Sequence, residues 1–585
     1  MTAQKKKTSG NSGKRKQKPS GKNTRRGKKK PELRIIPLGG LEEVGRNMTL
    51  FEYENKVLIV DMGLQFPEED MPGIDYIIPN ISYLTENKNK EVVGVVITHG
   101  HMDHFGALPH LVPKLGNPPV FGTKLTNALI KKRLSEYPNT RGIKVNEFDK
   151  NDKLNLSPFK LEFFHVNHNI PDSVGVVIDT PAGRIMHTGD FKFDHSPVGD
   201  DPADIARIVE LAKPGVDVLL EDSTNAESPG YTISESEVEK NLEEIVKLAE
   251  GRVIAATFGS LTTRVQELIN IAERQGRYVA LDGYSMRTNY EIAKELGYVK
   301  AKKGTIVSMK ELKKYPDKKM LIICTGAQGE DRAVLMRIAN KEHRHIQLQK
   351  GDSVIFSSSV VPGNERSVQS LKDVIMMQGA KIFHSKLMDI HASGHAQEED
   401  LKLMLNLVKP KNLIPIHGHR YMLQTHAEVA EFVGMSPKNI AVVENGRVMN
   451  LTPNGNLAIT KERVPTHYVM VDGLGIGDVG QIVLRDRQVL SEDGMVVVIS
   501  VVDGDSGKVK GNPDIISRGF VYLRESKPLL AEIRKKTKAI VEHATSTEQT
   551  ANWDYVKDTI REDLGKLLYK KTERRPMVLP VIIVV

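Results

Sequence analysis

The segment Thr98-His99-Gly100-His101-Met102-Asp103-His104 follows directly on the apolar run Val92–Ile97. It puts three imidazoles and one carboxylate on a single short stretch, immediately after what reads as a buried strand. Divalent metals take neutral imidazoles and carboxylates that converge from a short, rigid loop. Here His99 and His101 can face one ion while Asp103 and His104 face a second. A chain committed to this pattern needs a scaffold that ends several strands at one place. Open α/β folds do so, with their sites at the C-terminal ends of the strands.

Other apolar runs end in the same way. Val57–Val60 runs into Asp61, Arg184–Met186 into His187-Thr188-Gly189-Asp190, Asp217–Leu220 into Glu221-Asp222-Ser223-Thr224, and Ile414-Pro415-Ile416 into His417. His168, Asp190 and His417 are therefore candidates to complete a binuclear site, with Asp190 able to bridge and His417 able to complete the second ion's set. The loop His391-Ala392-Ser393-Gly394-His395 suits phosphate binding, because a small Ser and a Gly let backbone N–H groups approach an oxyanion.

Periodicity divides the rest of the chain. Residues 31–225 carry the strand-end clusters, and residues 226–375 change to strand–helix alternation, as expected of a parallel sheet. Helical patterns span Ser234–Ala249 and Thr263–Gln275, and strand-like runs span Val253–Thr257, Tyr278–Leu281, Met320–Cys324 and Val354–Ser357. The clusters return over 376–450, so the second unit is expected to be inserted into the first. Residues 451–465, polar with two prolines, read as a linker, and 466–585 read as a small α+β unit with a helix near Pro528–His543.

Charge is confined in an unusual way. The 585 residues include 83 basic and 74 acidic ones, but 13 of the basic residues lie within residues 1–30, which hold no Asp or Glu. The remainder has a net charge of −4, so the formal +9 is a property of the tail. That tail has almost nothing apolar to offset ordering entropy and is expected to be disordered, either a phosphate-seeking arm or a solubilising extension. With one cysteine, Cys324, a disulfide framework is excluded and a reducing cytoplasm fits. No apolar run reaches the ~20 residues a bilayer requires, and the basic start lacks the apolar stretch of a secretory signal.

Some tempting features carry little. Gly475-Ile476-Gly477-Asp478-Val479-Gly480 matches G-x-G-x-x-G, but Gln481–Leu484 reads as strand where a dinucleotide site needs a helix, so a turn is expected. His110, His165, His187, His195 and His384 read as structural or surface histidines, and Cys324 as a small buried residue.

The His-x-His-x-Asp-His signature, with Asp61, His168 and Asp190 at these separations, resembles the metallo-β-lactamase superfamily. Asp222 in Glu-Asp-Ser-Thr-Asn-Ala-Glu, His395 in His-Ala-Ser-Gly-His and His417 in Pro-Ile-His-Gly match the further motifs of its β-CASP nucleic-acid-processing group. Leu38–Gly45, Ser357-Ser358-Ser359 with Pro362-Gly363-Asn364-Glu365, and Asp514–Tyr522 look like the bacterial ribonuclease J family. The likeness runs from about Leu33 to the C-terminus. One departure is His419, which stands where the family usually has an acidic residue. No family role carries over to the tail.

The resemblance implies an α/β architecture: a metallo-β-lactamase αββα sandwich, an inserted β-CASP α/β domain and a small C-terminal α+β domain. It implies two divalent ions, zinc foremost with Mn²⁺ and Mg²⁺ as alternatives. His99, His101 and His168 would hold one, Asp103, His104 and His417 the other, with Asp190 bridging and Asp61 orienting a ligand histidine. Asp103 would be indispensable for cleavage. His395 would protonate the leaving 3′ oxygen, held in place by Asp222. His391, Ala392, Ser393 and Gly394 would bind a phosphate together with His395, and Ser357, Ser358, Ser359 and Asn364 would grip another.

The implied activity is endonuclease and 5′→3′ exonuclease cleavage of single-stranded, preferably 5′-monophosphorylated RNA, in mRNA decay and rRNA maturation. Implied partners are a second or further copies in a homodimer or homotetramer and an RNA helicase or the ribosome, without a membrane. Alternatives are a DNA-directed β-CASP nuclease, a scaffold that binds RNA without cutting it, and a small-molecule hydrolase.

Overall fold

The computed structural model describes residue 10 and residues 31–585, except 69, 331–332, 361–363, 474, 522–525 and 547–551. The basic tail expected over 1–30, like Pro362, Gly363 and Tyr522, thus lies outside the described residues, apart from Gly10.

Alternation along the first strands sets the layering. In Leu33–Gly39, Leu33 and Ile35 join one core while their neighbours Ile36 and Leu38 join another, and all four are buried. A strand whose successive side chains point to opposite faces, both apolar, must be covered on both sides. The eight-stranded sheet runs Leu457–Arg463, Arg447–Leu451, Leu33–Gly39, Met48–Tyr53, Lys56–Val60, Glu91–Val96, Val120–Gly122, Val145–Glu147. A six-stranded sheet runs Asn412–Ile416, Val218–Asp222, Gly183–His187, Val174–Thr180, Phe159–His165, Lys153–Leu156. Ile35, Phe51 and Leu58 of the first share a core with Phe163, Val176 and Leu220 of the second. The outer face of the six-stranded sheet, with Phe164, Val177 and Leu219, packs on residues of the helices Ile205–Ala212, Glu398–Val408 and Arg420–Phe432. Helices including Lys124–Ser135 cover the other sheet, which completes an αββα sandwich.

Strand pairing shows the insertion directly. Val218–Asp222 and Asn412–Ile416 are parallel neighbours in register, yet the chain between them builds a separate sheet. That five-stranded sheet is parallel throughout, in the order Tyr278–Asp282, Met320–Cys324, Val253–Ala256, Ser353–Phe356, Lys381–His384. Its helices Glu235–Leu248 and Thr262–Arg274 fall where the 3.6-residue period predicts them. Its last strand lies beyond residue 375, so the boundary expected there cuts the sheet; the four residues of Lys381–His384, one exposed and three half-buried, are too few to register as a strand in a sequence.

Two further expectations are corrected. The stretch 451–465 is not a linker: Leu457–Arg463 pairs antiparallel with Arg447–Leu451 as the sheet's edge. Its polar character reflects an edge strand carrying Lys461, Glu462 and Arg463, charges that discourage further pairing. Residues Gln481–Leu484 are helical, within Gln481–Glu492. The glycine-rich turn before them still lacks a dinucleotide site, because Val469–Asp472 and Gly475–Ile476 form an antiparallel hairpin rather than a parallel crossover. Beyond it, the sheet Asp514–Arg518, Met495–Val502, Met577–Val584 packs on the helices Lys527–Ser546 and Trp553–Thr572 through Val496, Val498, Val541, Ile560 and Leu564.

Candidate active site

The C-terminal ends of Lys56–Val60, Glu91–Val96, Gly183–His187, Val218–Asp222 and Asn412–Ile416 meet at one edge of the sandwich. They carry Asp61, the 99–104 loop, Asp190, Asp222 and His417 there. The loop is pinned from behind: Met62 N–H donates to His104 O at 2.6 Å, Leu64 N–H to Met102 O at 3.0 Å, and Asn47 N–H to Asp103 O at 3.0 Å. Gly63 is required by this packing, since a Cβ there would sit 1.5 Å from Asp103 O. Asp61 and His417 adopt left-handed backbone conformations, with φ of 63° and 54°. Such strain in non-glycine residues persists where surrounding contacts hold it. For Asp61 those contacts are Thr98 N–H at 2.8 Å and Thr98 Oγ1 at 3.0–3.1 Å.

Among the described residues, three groups could hold a metal, and two of them coincide with the expected ligand sets. In the first, His101 Nδ1 lies 3.2 Å from His99 Nε2 and 3.0 Å from His168 Nε2. In the second, His104 Nε2 lies 3.4 Å from Asp103 Oδ2 and 3.1 Å from Asp190 Oδ2, and His417 Nε2 lies 3.4 Å from Asp103 Oδ2. Asp190 Oδ2 is also 3.8 Å from His99 Nε2 and 3.9 Å from His168 Nε2, so one carboxylate faces both sets. Second contacts select the tautomers. His168 Nδ1–H donates to Gly394 O at 2.6 Å, and His104 Nδ1 meets Asp61 Oδ2 at 2.8 Å, which leaves both Nε2 atoms turned inward.

The electrostatics divide the same way. Burial, reinforced by the neighbouring imidazoles, holds His99 and His168 well below the usual histidine range and His101 at about 4, so this trio is neutral. Burial also acts on His104 and His417, but Asp190 and Asp103 override it and hold both well above that range. Against their own desolvation, Asp103 and Asp190 are held well down by these histidines. The second set thus demands positive charge.

Beside the ligand sets, His395 Nδ1 meets Asp222 Oδ2 at 2.8 Å and lies 3.9 Å from Asp190 Oδ2. Burial opposes protonation of His395, yet the Asp222 carboxylate raises it overall. Asp222 is held low, despite its burial, chiefly by His395. The sequence left several contributors unnamed. Thr224 Oγ1 bonds Asp222 Oδ1 at 2.8 Å and sits 3.1 Å from His417 Nδ1, and Asn225 Nδ2 donates to Ser393 Oγ at 2.6 Å. Their adjacency to Asp222 was the only signal.

The residues expected to grip phosphate separate. His391–His395 forms one segment beside the metal set, with Ala392 and Gly394 buried and His395 N–H donating to Ser393 Oγ at 3.2 Å. Burial, helped by Arg264, pushes His391 down to about 3, so it is neutral. Ser357 does not fit the expectation. It is fully buried, its hydroxyl accepts from Arg264 Nη1 at 2.9 Å and donates its only proton to Ile390 O at 2.7 Å, so no donor remains for a phosphate oxygen. Ser358 is buried and accepts from Gln328 Nε2 at 3.1 Å. Ser359 is exposed and Asn364 precedes the helix Glu365–Met377. His110, His165 and His187 are buried and hydrogen-bonded, as expected of structural histidines, and Cys324 is buried.

Comparison with known proteins places this geometry in a family. Residues 41–253 match the metallo-beta-lactamase superfamily, 250–375 the "Ribonuclease J, beta-CASP domain", 384–443 the "Zn-dependent metallo-hydrolase RNA specificity domain", and 482–585 the "Ribonuclease J C-terminal domain". The chain is 43% identical to Ribonuclease J 1 of Streptococcus pyogenes serotype M3 over 94% of its own length and 98% of the relative's. The chain belongs to the ribonuclease J family. Ribonuclease J2 of Bacillus subtilis is 40% identical over 94% of this chain and 98% of its own length. A crystal structure of an Enterococcus faecalis protein of unknown function shares the fold, with a TM-score of 0.52 and 16% identity over 72% of this chain and all of that one.

As a ribonuclease J family member, the protein is a metal-dependent ribonuclease with RNA as its substrate and binds divalent metal. Its residues fit that group. His168 carries its proton on Nδ1, so its Nε2 offers a lone pair, and a single N–H on His101 Nδ1 could serve at most one of His168 Nε2 at 3.0 Å and His99 Nε2 at 3.2 Å, a convergence of ring nitrogens that fits a bound cation. His417 Nε2 is likewise buried without a hydrogen-bond partner. Among the described residues, no helix is long and apolar enough to cross a membrane.

Proposed function

We propose that the protein hydrolyses single-stranded RNA as both an endonuclease and a 5′→3′ exonuclease, giving 5′-phosphate and 3′-hydroxyl products in mRNA decay and rRNA maturation. The observation that carries this reading is the common carboxylate of Asp190, which faces both ligand sets and lies 3.9 Å from the His395–Asp222 pair. His99, His101 and His168 would hold one ion and Asp103, His104 and His417 the other, with the Asp190 carboxylate facing both sets. Zn²⁺ suits an imidazole-rich N/O set best, with Mn²⁺ or Mg²⁺ as alternatives. Divalent ions held there would lower the pKa of an attacking water and neutralise charge on the phosphate.

The chain's own groups do the rest. Asp61 holds the His104 Nδ1–H, so that Nε2 keeps its lone pair for the ion. Asp222 accepts from His395 Nδ1–H and, by its charge, keeps the imidazole protonated, with the second proton on Nε2. His395 gives that proton from Nε2 to the departing 3′ oxygen as the P–O bond breaks. The backbone of 391–395 binds the flanking phosphate. With aromatic residues only 5% of the chain, backbone grip outweighs base stacking, and little sequence preference is expected. We assign the enzyme to the cytoplasm as a homodimer or homotetramer that prefers 5′-monophosphorylated ends and works with a helicase or the ribosome.

The test compares degradation of matched RNA and DNA strands bearing 5′-hydroxyl, monophosphate or triphosphate ends. Progressive loss from the 5′ end of monophosphorylated RNA, with internal cuts in the other RNAs, is expected. Equal or faster loss of DNA would replace the reading by a DNA nuclease. Tight RNA binding without any cleavage would replace it by a scaffold.

A further inference from the structure

A chain of charged side chains lies wholly inside the protein, between the sandwich and the inserted domain. Arg264, on the helix Thr262–Arg274, is 0% exposed; Lys192 and Glu235 are 1% and 2% exposed. Arg264 Nη1 donates to Ile390 O at 2.8 Å and to Ser357 Oγ at 2.9 Å, while Nη2 donates to Glu235 Oε2 at 2.5 Å. Glu235 Oε1 accepts from Lys192 Nζ at 3.0 Å. Lys192 N–H donates in turn to Asn167 O at 2.9 Å, so Lys192 is tied to the backbone beside both Asp190 and His168.

Desolvating such charges is expensive, and an apolar core of similar volume is usually at least as stable. Glu267 Oε2 lies 2.8 Å from Arg264 Nε, and burial pushes its carboxyl well up against the pull of Arg264; Lys192 and Arg264 also face Glu235, and Lys192 faces Asp194. What the network delivers is a fixed place for one carbonyl. Ile390 O receives both Arg264 Nη1 and Ser357 Oγ, and Ile390 is bonded to the first residue of the 391–395 loop. At the loop's other end, Gly394 O receives His168 Nδ1–H.

We propose that Arg264, through the Lys192–Glu235–Arg264 chain, is a positioning residue for leaving-group protonation: it fixes the start of the 391–395 loop and thereby sets His395 in register with the metal ligands. This rests on the acid role given to His395 above. Arg264 touches neither metal ligand nor substrate; it acts through Ile390. A lysine in its place keeps the charge but cannot reach three acceptors with a planar fork.

The experiment uses the full-length, metal-loaded enzyme and two RNAs, one with an ordinary scissile linkage and one with a 3′-bridging sulfur. A thiolate leaves without needing a proton, so defects of acid catalysis shrink on that RNA, whereas defects of metal binding or folding do not. For Arg264→Lys, single-turnover cleavage of ordinary RNA should fall about tenfold to a hundredfold, the range a misplaced reacting group produces. Metal content should be unchanged, and most of the loss should be recovered on the sulfur linkage, in parallel with His395→Ala. Ser357→Ala removes the second donor to Ile390 and should show the same recovery with a smaller loss, which keeps the comparison available if Arg264→Lys does not fold. Recovery for His395→Ala but for neither of these variants, or no loss in either, would overturn the inference alone. Absence of recovery for His395→Ala itself would overturn the acid role, and the inference with it.

Discussion

His168 and Gly394 are 226 positions apart, and the imidazole Nδ1–H donates to the glycine carbonyl at 2.6 Å. One hydrogen bond therefore joins a metal-facing histidine of the sandwich to the segment that returns from the inserted domain. It leaves His168 Nε2 turned towards His101, and it brings the loop bearing His395 against the ligand set. No side chain larger than hydrogen fits at 394, where a Cβ would stand 2.6 Å from the His168 ring.

Gly394→Ala should therefore displace His168. Contacts that orient a metal-bound histidine are worth about 10–100-fold in affinity, and a loss of that order is expected at the three-histidine set. Competition with a fluorescent chelator reads it. Unchanged affinity for both ions would show that the 2.6 Å contact has no such role.

Asp103→Ala should abolish cleavage while RNA is still bound. Asp103 lies against both His104 and His417, so its loss opens the second ligand set without touching the 391–395 loop. Metal analysis should find that ion depleted, and a gel-shift assay should find RNA affinity retained. Full activity with replete metal would exclude the assignment.

The pH profile of single-turnover cleavage should respond to Asp222→Asn in a definite direction. In the proposed mechanism the protonated form of His395 is the active one, and its pKa is raised because the Asp222 carboxylate outweighs burial. The proton is then kept to higher pH, and cleavage declines as pH rises through that pKa. With asparagine, burial is left largely unopposed and the pKa falls, so the alkaline limb should move to lower pH. A shift the other way would contradict the pairing.

Chelation should cost stability as well as activity, and more so at higher pH. In the stripped protein, burial disfavours the protonated forms of His104 and His417, but Asp190 and Asp103 raise both pKa values overall. A raised folded-state pKa contributes stability that is complete below the unfolded value, and it is lost as pH rises through the folded one. The bound ions, which compete with those protons, act in the opposite direction. The gap in Tm between loaded and stripped protein should widen as pH increases from the ordinary histidine value upward towards the raised values of His104 and His417. A constant gap would mean that the ions and the protons do not share these ligands.

Much of the fold was readable because its signals are local. The helix Glu235–Leu248, the strands of the inserted sheet and the strand-end positions of Asp61, Asp190 and His417 each follow from a few consecutive residues. The edge strand Leu457–Arg463 looks like a linker in sequence because a strand paired on one side only has no buried alternation to reveal it. The start of the helix Gln481–Glu492 looks like strand because Ile482, Val483 and Leu484 form a short apolar run.

The chemistry on offer is written in the sequence: imidazoles and carboxylates, closely spaced at strand ends. Partnership was decided only in three dimensions. Asp61 meets His104, Asp222 meets His395, and Ser357 turns inward to Ile390 and Arg264 instead of outward to a ligand. Motif spacing acts over a few residues, whereas these contacts depend on sheet order and on where an inserted domain rejoins the sandwich. A serine at a strand end looks the same in sequence whether the tertiary fold leaves it open or closes a buried arginine over it.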